Sequence, residues 1–302
     1  MKKQFIILFT LLAFSISAWA QKEYKVAKSS GRLNLNVTGA VVEGYNGNEI
    51  IFTIVNGREE PVDERAKGLK PLSGSGFTDN TGLGLDVNLN GQDINVNSVV
   101  KKQNGILHIK VPQNVKISFS NNSTMYSSEL LLRNLKNEIE VSATHNKIKL
   151  ENNSGPMNIK AIYGSVDASF TNEVKGPISI ISVYGLVDIS MPASTKANIE
   201  LGTSYGKLFA AEDFKVAVDR NRVQNKNQNQ GGRVTTTGFT VVTGRAKSNT
   251  DNTTVIVSDD DTETVALRRS DSAGENIKGT INGGGVDLIF KSNYNNVYLR
   301  QK

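Results

Sequence analysis

The chain of 302 residues contains no cysteine, which excludes disulfides, thiol catalysis, Cys-ligated metals and a lipid-modified N-terminal cysteine together. Histidine is nearly missing as well: only His108 and His145 are present, and His108 alternates with Leu107 and Ile109, so it points out of a strand. No Ser/His/Asp constellation can be assembled from two such residues. Long Leu/Ala/Glu/Lys blocks are also lacking, which argues against a helical protein. Beyond the first twenty residues no apolar run approaches membrane-spanning length, and no Lys/Arg cluster with interleaved aromatics speaks for nucleic acid.

What is present is a hydrophobic fraction of 38%, enough for a core, with abundant asparagine beside 27 glycines. That balance predicts short strands joined by Gly/Asn turns. The N-terminus reads as a signal peptide over residues 1–20: Lys2 and Lys3 form the basic region, Phe5 to Ile16 the apolar one, and Ala18-Trp19-Ala20 the processing site before Gln21. The expectation is a soluble exported chain, in the periplasm, on the outer surface or secreted. Its removal leaves 33 basic against 29 acidic residues, a net +4, which suits acidic glycans or envelope polymers as neighbours.

A repeat runs through the middle. Ile162-Tyr163-Gly164-Ser165-Val166-Asp167-Ala168-Ser169 returns 21 residues later as Val183-Tyr184-Gly185-Leu186-Val187-Asp188-Ile189-Ser190. Ser204-Tyr205-Gly206-Lys207-Leu208-Phe209-Ala210 follows another 21 on, and Thr144-His145-Asn146-Lys147-Ile148-Lys149-Leu150 precedes by 18. A weaker copy begins at Ser127, and Asn293-Tyr294-Asn295-Asn296-Val297-Tyr298-Leu299 closes the chain. Each copy starts with a Gly/Asn corner, read as entering the left-handed region, and continues into an apolar–variable–apolar strand. A second strand lies between copies, at Ile139–Val141, Ile159–Ala161, Ile178–Ile180 and Ile199–Leu201. The physical reading is an all-β fold, a parallel β-helix or β-solenoid with coils of about 18–21 residues, because no copy buries its apolar face alone.

The N-terminal part, 21–125, alternates less regularly, with strands around Leu33–Val37, Val41-Val42, Ile50–Ile54, Leu85–Leu89, Ile94–Val96 and Leu107–Val111. Residues 58–80 read as a loop with one helical turn near Val62 to Leu69. Residues 126–212 hold the regular repeats, 220–235 a polar Asn/Gln loop, and 236–302 the C-terminal coils, with strands at Phe239–Val241, Val255–Val257 and Val265–Leu267. The mature chain is read as one domain, 21–302.

Gly44-Tyr45-Asn46-Gly47-Asn48-Glu49, Ile109-Lys110-Val111-Pro112, the ending Gly279-Thr280-Ile281-Asn282-Gly283-Gly284-Gly285 and the closing Tyr294 copy resemble a bacterial putative-adhesin family of unknown function with β-strand repeats. The resemblance spans roughly residues 30–300. It implies a single-stranded, right-handed β-helix exported to the envelope, and it brings no catalytic, cofactor or ligand residues. The 220–235 tract is an insertion relative to that pattern and disturbs the register of the coils after it.

Two columns carry what chemistry the sequence offers. Tyr163, Tyr184 and Tyr205 stack at the corners, either as a register ladder or as a ligand-contacting strip for glycans. Asp167 and Asp188 hold one position in consecutive coils, about 4.8 Å apart, as a solvent-facing ladder, a calcium site or a carboxylate pair. Asp259-Asp260-Asp261-Thr262-Glu263 lacks EF-hand spacing and reads as a solvated turn, with Arg268 and Arg269 close enough in sequence to pair with it. Gly283-Gly284-Gly285 lacks the Lys-Ser/Thr of a phosphate loop and reads as a corner. The expectation is a non-enzymatic, cofactor-free, adhesin-like envelope protein; the alternatives are a polysaccharide lyase or hydrolase on a β-helix, or a structural assembly protein.

Overall fold

The structure, a computed structural model, describes residues 22–57, 64–69, 74, 76–171, 174–212, 214, 216–219 and 274–302, with four short strands between 235 and 265. The signal-peptide reading and the 220–234 tract lie outside the described residues. The chain divides into two compact units, Met1–Asn153 and Ser154–Lys302, each described in turn. Among the described residues no helix is long and apolar enough to cross a membrane.

The first unit is built from β1 (Glu23–Val26), β2 (Ser30–Asn36), β3 (Ala40–Tyr45), β4 (Ile50–Val55), β5 (Leu85–Asn90), β6 (Asp93–Ser98), β7 (Ile106–Pro112), β8 (Asn114–Asn121), β9 (Leu130–Arg133), β10 (Ile139–Ala143) and β11 (Ile148–Glu151). The helical turn expected near Val62 to Leu69 is a short 3-10 turn at Glu64–Ala66. One sheet runs β1-β4-β7-β3-β9-β11 and the other β5-β6-β2-β8-β10. Strands β2, β3, β8 and β9 pair in parallel with their neighbours, while β1–β4, β4–β7 and β5–β6 are antiparallel. Alternation decides what is buried. Leu33 and Leu35 on β2 and Ile94 and Val96 on β6 are inward, and the residues between them are asparagines on the outer face. There Asn34 and Asn36 donate side-chain amides to Asn95 and Asn97, each at 2.9 Å, which explains part of the asparagine content.

The second unit holds β12 (Met157–Ala161), β13 (Val166–Ser169), β14 (Ile178–Ser182), β15 (Val187–Met191), β16 (Ala197–Thr203), β17 (Leu208–Ala210), β18 (Val216–Val218), β23 (Glu275–Ile281), β24 (Val286–Ser292) and β25 (Val297–Gln301). Two hairpins, β19 (Thr235–Thr236) with β20 (Phe239–Thr240) and β21 (Ile256–Asp259) with β22 (Thr262–Val265), are described by backbone only. Asp259 faces Thr262 at the tip of the second, so the acidic run flanks a hairpin turn. Its sheets run β13-β15-β25-β17 and β12-β14-β24-β16-β23-β18.

The all-β expectation holds, with two differences from a purely parallel stack. First, the sheets are mixed: β23 lies antiparallel to both β16 and β18. Second, the repeats are not stacked in chain order. Val166 pairs with Val187 at the predicted spacing, but Val187 then pairs with Val297, and Val297 with Leu208. The C-terminal copy is inserted between the 184 and 205 copies. The insertion is sterically matched, since Ile180, Phe290 and Leu201 form one buried column and Ile178, Leu288 and Ile199 another. Fully buried Phe290 fills the rung that would otherwise be missing.

Candidate functional site

The corners of the second unit are closed by hydroxyl side chains that lie outside the Tyr-Gly repeat itself. A hydroxyl residue sits two positions before three of the tyrosines: Ser182, Ser292 and Thr203, all buried. Ser182 Oγ accepts the N–H of Gly185 at 2.9 Å and donates to the carbonyl of Gly164 at 2.9 Å. Ser292 accepts the N–H of Asn295 at 3.1 Å and donates to Gly185 at 2.7 Å. Thr203 accepts the N–H of Gly206 at 2.8 Å and donates to Asn295 at 3.0 Å. Each hydroxyl therefore closes its own corner and ties it to the corner of the neighbouring rung. The signal was in the sequence as Ser/Thr at a fixed offset from Tyr.

Because the corners are clamped at one spacing, the tyrosines following them stack. Ring centroids are 4.9 Å apart for Tyr163–Tyr184, 4.7 Å for Tyr184–Tyr294 and 4.8 Å for Tyr205–Tyr294, with interplanar angles of 6°, 11° and 5°. Tyr163, Tyr184 and Tyr205 thus belong to one column, as expected, and Tyr294 is the member that joins the last two. All four are exposed, from 44% for Tyr184 to 60% for Tyr205. The stacking decides what is presented: Tyr184 and Tyr294 have both ring faces covered by neighbours, so only ring edges and phenolic hydroxyls reach solvent. A sugar cannot lie flat on either ring. The column is a comb of hydroxyl-bearing edges, and Tyr205 ends it, with no ring among the described residues on its second face.

The neighbouring column reads Asp167, Asp188, Tyr298 and Phe209 in register. Phe209 stacks on Tyr298 at 5.1 Å. Asp188 receives a bidentate bond from Arg300, Nε at 2.7 Å and Nη2 at 2.9 Å, and the Arg300 guanidinium lies 5.2 Å from the Tyr298 centroid. These bonds to Asp188 raise the guanidinium's pKa further and hold it charged. Asp167 and Asp188 do sit side by side as expected, yet a cation between them would compete with Arg300. Among the described residues no group of three or more His, Cys, Asp or Glu is placed to hold a metal.

His108 points outward from β7 and meets Glu43 at 3.2 Å, and Arg133 donates to the same Glu43 oxygen at 3.0 Å. Burial opposes the Glu43 charge, but the bonds from Arg133 and His108 outweigh it and hold the carboxyl below the usual carboxylate range. His145 holds the corner position of its own copy, ahead of β11. Gly283 and Gly284, both at positive φ, form the turn from β23 into β24, as read from the sequence.

Residues 133–255 match the family model described as Toastrack DUF4097, a domain of unknown function. The matched stretch contains Tyr163, Tyr184 and Tyr205, while Tyr294 lies beyond it. A crystal structure of a protein from Clostridium sporogenes, described as a "putative cell adhesion protein", is similar over 93% of this chain and 100% of that one, at 12% identity and a TM-score of 0.40. No curated protein matches the sequence.

Proposed function

We propose that the chain is a non-enzymatic, adhesin-like protein of the cell envelope, exported through residues 1–20, that binds glycans or other surface polymers along the tyrosine-edged face of its second unit. The carrying observation is the column Tyr163-Tyr184-Tyr294-Tyr205, four exposed aromatic edges at a spacing of 4.7 to 4.9 Å. In the β-solenoid reading, with rungs of about 18–21 residues, each rung repeats the same hydroxyl and the same edge. A ligand with repeating units then gains affinity from several weak contacts rather than from one deep pocket. Since the ring faces are mutually covered, hydrogen bonding to phenolic hydroxyls is the recognition mode, with Tyr298 and Phe209 as an apolar margin. The net positive charge favours acidic polymers in the encounter.

The test is an array of glycans and matrix polymers probed with the purified protein, with and without calcium. Saturable, selective binding that disappears in the double variant Tyr184→Ser/Tyr294→Ser, with the far-UV spectrum unchanged, is the expected result. Binding that survives the double variant unchanged would remove the comb from this role.

A further inference from the structure

Apart from the column, the first unit holds a cleft of about 400 Å³ where two segments remote in sequence converge. Tyr45 ends β3 and Pro112 ends β7, and the two are register partners in a parallel pair, so the corners that follow them are brought together. The cleft is lined by Tyr45, Asn46 and Asn48 from the first corner, Gln113 and Asn114 from the second, and Ser29 before β2. We infer that this cleft is a binding site for one unit of a neutral, hydroxyl-rich ligand, a saccharide, independent of the tyrosine column.

Three observations carry the assignment. The aromatic wall is fixed before any ligand arrives: Tyr45 donates its hydroxyl to the carbonyl of Glu49 at 2.6 Å and folds over Gly47, where a Cβ would lie 2.1 Å from the ring. Gln113 is fixed as well, because its Nε2 donates to the carbonyl of Asn134 at 3.1 Å. That bond settles the amide's orientation and leaves Gln113 Oε1 buried with no hydrogen-bond partner. Finally, the side chains of Asn46, Asn48 and Asn114 have no hydrogen-bond partner among the described residues, so each offers a donor and an acceptor to the cleft.

The chemistry of the lining selects the ligand class. Its side chains carry no carboxylate, ammonium, guanidinium or imidazole, so a charged ligand would be desolvated without a counter-charge. Carboxamides present a donor beside an acceptor, the pattern that vicinal hydroxyls complement, and the open volume lies within the range of small-ligand sites. The recognition is of a neutral polyol ring, held beside the Tyr45 ring by hydrogen bonds to the carboxamides of Asn46, Asn48 and Asn114.

The experiment is a titration of the isotope-labelled protein with neutral tetrasaccharides of glucose (β-1,4 and α-1,4 linked) and of N-acetylglucosamine, reading the side-chain amide resonances of Gln113, Asn46 and Asn48. Saturable shifts of these resonances with at least one probe are expected. Gln113→Ala and Asn48→Ala should each weaken binding about tenfold, and Tyr184→Ser/Tyr294→Ser should leave it unaltered. Asn48 is exposed, so its variant keeps the test independent of folding if Gln113→Ala loosens the corner. No shift up to tens of millimolar probe, a response to acidic sugars or peptides alone, or abolition by the tyrosine variants would each overturn the assignment.

Discussion

At the scale of single residues, the outer face of the second unit depends on Glu200. It sits on β16 with its side chain 19% exposed, between Lys278 of β23 at 2.8 Å and Lys291 of β24 at 2.5 Å. Burial works against its charge, yet the hydrogen bonds from the two lysines hold its pKa below the ordinary value of 4.5. A carboxyl lowered on folding contributes stability above its unfolded pKa and loses that contribution as pH falls through the folded one. Glu200→Gln is expected to cost roughly 1 kcal/mol at neutral pH, a buried charged pair discounted for its partly exposed lysines. The gap to the parent should shrink below pH 4.5 in urea unfolding, and a gap independent of pH would rule the ion pair out as its source. Ser292 acts through neutral bonds. Ser292→Ala leaves the carbonyl of Gly185 and the N–H of Asn295 unpaired in a buried corner and should destabilise by about 1–3 kcal/mol at every pH. The outward Ser190→Ala serves as the control and should stay within about 0.5 kcal/mol.

At the scale of elements, the corner glycines are required by contact with the adjacent rung and not by backbone conformation. Gly185 and Gly206 were expected to be glycines for left-handed φ, and neither has it. What excludes a side chain is the adjacent rung: a Cβ on Gly185 would lie 2.0 Å from the carbonyl oxygen of Gly164, and one on Gly206 2.0 Å from that of Asn295. Asn146, at the same position in the first unit, acts through its buried amide, which donates to the carbonyls of Thr38 and Ser128 at 2.7 Å each. Among the described residues the left-handed asparagines come after strands instead, at Asn56, Asn134 and Asn152, all at φ 56°, and at Asn282, at φ 51°; Asn152 donates to Asn134 at 2.9 Å. Gly185→Ala is therefore expected to cost more than about 2 kcal/mol, since backbone must move apart. Gly283→Ala, at φ +84° with open space around its Cβ position, should cost only about 1 kcal/mol of backbone strain. Melting temperatures of the two variants measured together check the ranking. A reversed order would mean that backbone conformation, and not rung contact, governs the corners.

For the whole molecule, the last strands are not an appendage. β24 lies between β14 and β16, and β25 between β15 and β17, so the end of the chain supplies an interior rung of the second unit. Truncation after residue 273 should abolish exchange protection in β14 and β16 and separate Tyr184 from Tyr205, while β2 and β8 of the first unit keep theirs. Retained protection at Ile178–Ser182 would contradict the insertion. Much of this protein was legible locally. Period-two alternation marks most of the strands, but not β1, β18, β23, β24 or β8, although β8 turns Val115, Ile117 and Phe119 inward. The Tyr-Gly repeat placed three of the ladder's members in one column. The order of the rungs was not legible. Every rung offers the same backbone hydrogen bonds and nearly the same apolar columns, so local pattern leaves the choice of neighbour degenerate. Packing of Phe290 against Ile180 and Leu201, and of Ser292 against Gly185, breaks that degeneracy only once the chain has returned from residue 274. The Tyr45 cleft likewise depends on a pairing across more than sixty residues. Sequence by itself determined the strands and the side chains they present; tertiary structure alone decided which rungs meet, because contacts between equivalent edges are chosen by the whole core and not by any single repeat.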